Sequence, residues 1–330
     1  MGRNGWIWLA AALVLFPLLS QAQEAKPKEK EGPPLKVGIY PWPCCGFWAL
    51  AQQKGFMKEL KLNVEIVSFP KAAEAAKAFA EGNVDLVHEG MGTVIMQALG
   101  GTSLKVLTAT DFSLGEGIVA KAGIKEPKEL KGKTIGVAMD TEAYYLLLRV
   151  LDLVNLAKDA VTIEDVAGSK GVEAFAAGKL DALLTSEPYL TQAAKKAKGK
   201  IIFKVIAEQG PIVDLLVCSA KAVSDRPDDV LKAMRAYAGA LSEWETNSKG
   251  MNPILAKAQG VSGTEFGQAL SRLRILGLSW SARYVYSGDL EANLGAWAAV
   301  LRRMKVITKT VDPHALVEPT MLEKAAGVRQ

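Results

Sequence analysis

The sequence predicts an α/β protein of two similar lobes, joined by a hinge and separated by a ligand cleft. Three observations predict it. From Leu35 onward short apolar runs alternate with amphipathic stretches, the mark of βαβ crossovers and parallel sheets. The same order of elements then occurs a second time. A heptad recurs with it: Phe79-Ala80-Glu81-Gly82-Asn83-Val84-Asp85 matches Phe175-Ala176-Ala177-Gly178-Lys179-Leu180-Asp181 at a constant spacing of 96 residues. In each copy a helix ends on glycine, which takes a left-handed turn without a Cβ penalty, and aspartate precedes a strand.

Taken in order, the chain opens with one basic residue, Arg3, and a continuous apolar stretch from Trp6 to Leu19. Pro17 and the small residues around Ser20 and Ala22 complete the pattern of a secretory signal peptide over residues 1–22. The stretch is shorter than the ~20 residues that span a bilayer. Residues 23–34 are polar, Lys/Glu/Pro-rich and aperiodic, as expected of a disordered leader. The working compartment is therefore expected to be periplasmic or extracellular.

In the first copy, Lys36–Tyr40, Leu62–Val67, Val84–His88 and Leu104–Ala109 read as strands. Ala49–Leu60, Ala72–Ala80 and Thr93–Leu99 read as helices between them. In the second, Thr134–Ala138, Val161–Val166, Asp181–Leu184 and Ile201–Ile206 read as strands. Glu142–Leu156, Gly171–Ala177 and a segment from about Tyr189 read as helices. Pro227–Thr246, Ser262–Arg274 and Gly288–Met304 are helical and return to buttress lobe one. Lobe one is then expected over 35–117 and 220–330, and lobe two over 118–219, with crossings near Gly115–Ile118 and Val217–Ala220.

Composition limits what the two lobes do. The 330 residues are 49% hydrophobic and 23% charged, which excludes a disordered, coiled-coil or polytopic membrane chain. The net charge of +5 is scattered, so no nucleic-acid partner is expected. Three cysteines and two histidines do not assemble a zinc cluster or a disulfide scaffold, and no metal or cofactor is expected. A disulfide between adjacent Cys44 and Cys45 would be strained, and the odd count leaves a thiol free in a monomer.

Several segments carry a resemblance. Val37-Gly38-Ile39-Tyr40-Pro41-Trp42-Pro43, Leu50-Ala51 and Lys54-Gly55-Phe56 resemble the opening of the substrate-binding proteins of nitrate/sulfonate/taurine-type ABC importers, the SsuA/THI5-like and NMT1-like family. Glu129–Val137, Gly178-Lys179-Leu180-Asp181-Ala182 and Ser186-Glu187-Pro188-Tyr189 resemble that family's later segments. The resemblance implies the type II periplasmic binding protein fold. It also implies a small-molecule ligand, an ABC permease as membrane partner, and a monomeric receptor. The same grouping contains pyrimidine binders and synthases, so a pyrimidine-synthase-like or other cleft enzyme is the alternative.

Ligands of open parallel sheets sit beyond the carboxyl ends of the strands. The candidates placed there are Trp42, Phe47, Trp48, Glu89, Thr93, Asp111, Thr141, Glu142, Glu187 and Asp214. The aromatics would cover an apolar or cationic ligand face, although some of them would simply cap the sheet. The acids outnumber cleft-facing bases, of which Lys170 is one, and an acidic cleft repels anions. A ligand rich in hydrogen-bond donors, an amine or amino-pyrimidine-like heterocycle, is therefore preferred over a nitrate- or sulfonate-type anion. The ordinary roles for these acids are helix caps and hinge ion pairs, with Asp140 and Thr141 well placed to cap the next helix. His88 reads as a satisfied strand-end residue. No Gly-x-Ser-x-Gly elbow, His-Glu-x-x-His pair or phosphate loop occurs, so no catalytic residue is expected.

Overall fold

The structure, a computed structural model, describes residues 32–139, 141–166, 168–205 and 212–327. The signal peptide reading and most of the leader lie outside the described residues, as does Asp140.

Eleven strands form two sheets among the described residues: β1 (Leu35–Ile39), β2 (Val64–Ser68), β3 (Leu86–Gly90), β4 (Leu104–Ser113), β5 (Glu116–Ala120), β6 (Thr134–Val137), β7 (Thr162–Asp165), β8 (Ala182–Ser186), β9 (Lys200–Lys204), β10 (Ile212–Ser219) and β11 (Leu273–Ile275). Sheet one runs β11-β4-β10-β3-β1-β2, and sheet two runs β7-β6-β8-β5-β9. Without β11 the two orders are equivalent: the strand next to one edge, β1 or β6, pairs in parallel with both its neighbours. The fourth strand of each, β10 or β5, is antiparallel and arrives from the other lobe's sequence.

The repeated heptad has a visible purpose. Gly82 (φ +76°) and Gly178 (φ +75°) both make the left-handed helix exit. Asp85 and Asp181 then lock the equivalent strands β1 and β6. The Asp85 carboxylate accepts from Lys36 N at 2.8 Å, and the Asp181 carboxylate accepts from Thr134 N at 3.0 Å. The backbone answers in both places, Asp85 N donating to Lys36 O and Asp181 N to Thr134 O, each at 2.8 Å. Phe79 and Phe175, at the head of each heptad, are both buried.

β10 corrects the expected lobe boundary. Residues 212–219 were expected at the end of lobe two, but they lie between β3 and β4 of sheet one. The run Ile212–Ser219 is buried almost throughout because it occupies an interior position of that sheet. The return crossing therefore precedes β10 rather than following it. The connection between β4 and β5 is Leu114–Gly115.

The tail is helical, with one exception. Pro227–Thr246 and Asp289–Arg303 form the two longest helices of this part. The expected Ser262–Arg274 helix stops at Leu270, and Leu273–Ile275 pairs with β4 as an edge strand. Ser262 and Glu265 form a reciprocal capping box at its start. No helix among the described residues is long and apolar enough to cross a membrane.

Candidate functional site

A cavity of about 280 Å³ opens between the two sheets, near the lower end of the ~300–1,000 Å³ usual for small-molecule sites. Its walls come from the carboxyl ends of β1, β3 and β8, from the crossing strands β5 and β10, and from the helix starts that follow.

Lobe one supplies the acidic floor. β3 ends in His88-Glu89-Gly90, and the chain turns directly into the Met91–Leu99 helix. Glu89 is 3% exposed. Its Oε1 accepts from Gln97 Nε2 at 2.7 Å, and its Oε2 has no hydrogen-bond partner. Burial pushes its carboxyl up to about 8. His88 Nε2 accepts from Trp48 Nε1 at 2.9 Å, which makes Nδ1 the protonated ring nitrogen. Burial pulls this histidine down to about 3, so the ring is neutral.

Asp111 and Asp214 face one another across the β4–β10 ladder. Both are buried, and burial raises both carboxyls. The Asp111 charge raises Asp214 further, so the two share a proton rather than ionise together. Asp214 lines the cavity. Asp111 lies behind it and accepts from Trp42 Nε1 at 3.4 Å. Trp42 is half-buried and presents its ring to the cavity beside Tyr40.

Lobe two reaches back with Glu142. Its carboxylate accepts from Thr93 N at 2.9 Å, Gly92 N at 3.2 Å and Thr93 Oγ1 at 3.3 Å. It thus satisfies free N–H groups at the start of the Met91–Leu99 helix, where partial positive charge gathers. Burial nonetheless pushes Glu142 up to about 7. The approach needs glycine: a Cβ on Gly90 would lie 2.0 Å from Glu142 Cγ, and one on Gly92 would lie 2.2 Å from a Tyr145 ring carbon. At the other end of the same lobe-two helix, Glu142–Leu153, Asp152 accepts from Arg303 Nε at 2.8 Å. One helix therefore holds lobe one at both ends.

Six of the ten expected residues line the cavity: Trp42, Glu89, Thr93, Thr141, Glu142 and Asp214. Asp111 sits immediately behind. Thr141 precedes the lobe-two helix, but its hydroxyl donates to Ala138 O instead of capping that helix. Phe47 and Trp48 are corrected. They were expected in a loop facing the cleft, but a 3₁₀ turn at Pro43–Cys45 leads straight into a helix from Gly46. Both side chains are fully buried against Tyr237, and Phe47 also meets Trp244, in the lobe-one core. Glu187 belongs to the crossing. It accepts from Thr191 N and Thr191 Oγ1 and pairs with Arg272 at 3.1 Å, while its own N–H donates to Gly115 O. Burial would raise its carboxyl, but the Thr191 hydrogen bonds and the Arg272 charge outweigh that and hold it below the usual range. Lys170 is exposed and does not line the cavity. Cys44, Cys45 and Cys218 are all buried free thiols.

Tyr40, Glu116 and Thr185 also line the cavity and were not foreseen. Glu116 opens β5, is 7% exposed, and accepts from Ser113 Oγ through both oxygens at 2.8 and 2.9 Å. An acid opening an otherwise apolar strand immediately after the Leu114–Gly115 crossing was the available signal. Glu89, Glu116, Glu142 and Asp214 thus face one space that no lysine or arginine lines among the described residues. No cluster suited to a metal ion occurs among the described residues.

With the geometry established, the chain's relatives can be placed. Over 187 residues it is 26% identical to a binding protein of Brucella abortus (strain 2308), covering 55% of this chain and 54% of that one. The chain thus spans about half the length of this relative. It is 23% identical over 283 residues to a Bacillus subtilis (strain 168) protein named for binding aliphatic sulfonates, covering 84% of this chain and 83% of that one. The crystal structure of the periplasmic aliphatic sulphonate binding protein SsuA from Escherichia coli superposes with a TM-score of 0.70 at 16% identity, over 87% of this chain and 92% of that one. This similarity establishes the shared periplasmic binding protein fold. The NMT1/THI5-like family model matches residues 44–246, more than half the chain, and the protein belongs to that family.

Proposed function

We propose that the protein is an extracytoplasmic solute receptor that captures a small molecule between its lobes and delivers it to an ABC-type importer. The fold and the family support the receptor role. The wall composition of the cavity carries the choice of ligand: among the described residues four acids and no lysine or arginine face it. An anion entering this space would meet carboxyl groups without a counter-charge, whereas a donor-rich or cationic solute would be matched to them. The ligand is therefore an amine or an amino-pyrimidine-like heterocycle, with the Trp42 and Tyr40 rings against its flat face. The sulfonate named for the Bacillus relative is not carried over.

Closure would work as follows. The solute lands on the lobe-one floor of Glu89 and Asp214. Lobe two then seats Glu142 on the Met91–Leu99 helix, and water leaves the cavity. The ligand must favour the closed form over the open one, or no signal reaches the permease. Thermal-shift titration against amines, aminopyrimidines, nitrate and alkanesulfonates tests this reading. A ligand at about 100 times its Kd adds ~2.7 kcal/mol, a shift of several degrees. Donor-rich compounds should raise the melting temperature. Stabilisation by nitrate or sulfonates alone would refute the ligand assignment.

A further inference from the structure

Resting on that reading, the geometry also names the contact that anchors the ligand. Gln97 lies two turns into the Met91–Leu99 helix, and its amide nitrogen donates to Ala76 O at 3.0 Å and to Glu89 Oε1 at 2.7 Å. The Ala76 carbonyl fixes which way the amide faces, so a nitrogen and not an oxygen meets Glu89. One carboxyl oxygen is thereby held, and the other, Oε2, is buried without a partner in a residue that lines the cavity. An unpaired buried carboxyl oxygen is costly, and native structures rarely retain one without a use. We propose that Glu89, positioned by Gln97, anchors a protonated nitrogen of the ligand: an ammonium, an amidinium or a protonated ring N–H.

The surroundings agree in sign. From β3 itself comes neutral His88; from lobe two, Glu142; from β10, Asp214; from β5, Glu116; and from the end of β1, Tyr40. Glu74 and Lys77 of the neighbouring Ala72–Ala80 helix are exposed, and Lys77 pairs with Glu81. No cation of the protein faces Glu89 from these elements, so the position of the counter-charge is left to the solute. With its carboxyl raised to about 8, Glu89 holds a proton in the empty site near neutral pH. A cation arriving at Oε2 displaces that proton to solvent, and binding is an exchange of one positive charge for another.

Calorimetric titration tests this, with methylammonium, benzamidine and 4-aminopyridine as cations, benzamide as a neutral isostere and benzenesulfonate as an anion. At least one cation should bind at millimolar concentration, and benzamide should bind at least about tenfold more weakly than benzamidine. Cation affinity should rise about tenfold per pH unit below the Glu89 value and level above it, with proton release measured across buffers of different ionisation enthalpy. Glu89→Gln, an isosteric change, should cut affinity at least about tenfold and remove one unit of that slope. Gln97→Leu should move the levelling point to higher pH, because the lost hydrogen bond favoured the ionised carboxylate. A merely structural Gln97 would lower the melting temperature and leave the pH profile in place. Cation binding that survives Glu89→Gln overturns the anchor but leaves the ligand class standing. Benzenesulfonate binding with no cation binding overturns both, and the absence of any cation binding overturns the anchor. Should Glu89→Gln fail to fold, the proton count of the unaltered protein decides, and zero release overturns the anchor.

Discussion

The two lobes are built alike and equipped differently. Both present the same five-strand order, the same left-handed glycine exit and the same aspartate clasp, on β1 in one and β6 in the other. The repeat offset of 96 maps β3 onto β8, so the comparison extends to the cavity. There lobe one carries His88-Glu89-Gly90, and lobe two carries Leu184-Thr185-Ser186. Scaffold positions were kept in both copies, while the acidic end of the strand occurs in one. Lobe one therefore carries the chemistry of recognition. Lobe two contributes a cover, which brings Glu142 from its helix start and Glu116 from β5 to the cavity.

The largest expected effect breaks the comparison through pH. Glu89 and Glu142 stand at about 8 and 7 in the folded chain against an ordinary value of 4.5. A carboxyl raised by folding favours the folded state below its unfolded value, and that benefit disappears as pH rises through the folded value. The ligand-free protein should therefore lose several kcal/mol of stability between about pH 4.5 and 8, as measured by urea unfolding. The Glu89→Gln, Glu142→Gln double variant should flatten part of this decline, the rest coming from Asp111, Asp214 and Glu116, which burial also raises. A similarly flat profile in the unaltered protein would mean that these acids are hydrated and ordinary.

The next effect separates Gly90 from its counterpart Ser186. Gly90→Ala places a Cβ where Glu142 now sits, so lobe two should fail to seat. Overpacking of this kind costs about 1–3 kcal/mol. X-ray scattering should show a more open particle, and ligand affinity should fall. Ser186→Ala, which adds no atom, should leave the scattering profile unchanged. Equal effects at the two positions would remove the proposed division of labour.

The smallest effect tests the shared scaffold. Asp85→Ala and Asp181→Ala each orphan one strand N–H, at a cost of about 1–3 kcal/mol, and the two losses should agree within error. Lys121, hydrogen-bonded to Asp181, and the Thr134 N–H hold Asp181 below its ordinary value, so its contribution is present at neutral pH and lost as pH falls into the acid range. Thermal melts at neutral and acid pH would check both statements. Unequal losses at neutral pH would show that the clasp is needed in one lobe more than the other.

These contrasts also explain what could be read from residues alone. The heptads were legible because glycine takes the left-handed exit without a Cβ penalty and because the seven letters recur at a constant spacing, although the strand that each aspartate locks lies nearly fifty residues earlier. The position of β10 was not legible. A buried apolar run reveals that a strand is interior, but its partners lie about a hundred residues away in sequence. Phe47 and Trp48 were misplaced because a 3₁₀ entry at Pro43–Cys45 moved the helix start three residues earlier than the pattern of apolar residues suggested. Glu142 was placed correctly at a helix start. That it would serve the other lobe's helix was not encoded locally, since a carboxylate does not declare which N–H groups it will meet.

The insertion of β10 between β3 and β4 bears on how the chain matures. By the time Ser113 leaves the ribosome, every other strand of that sheet's main body has been made, yet its middle is missing. At ~5–20 residues per second, Ile212 follows roughly 5–20 s later. Until then the nascent chain holds the three-strand piece β3-β1-β2 and a β4 without its neighbour, awaiting a long-range closure of the kind that slows folding. A fragment cut after residue 205 should accordingly remain soft and protease-sensitive, however complete its first hundred residues look.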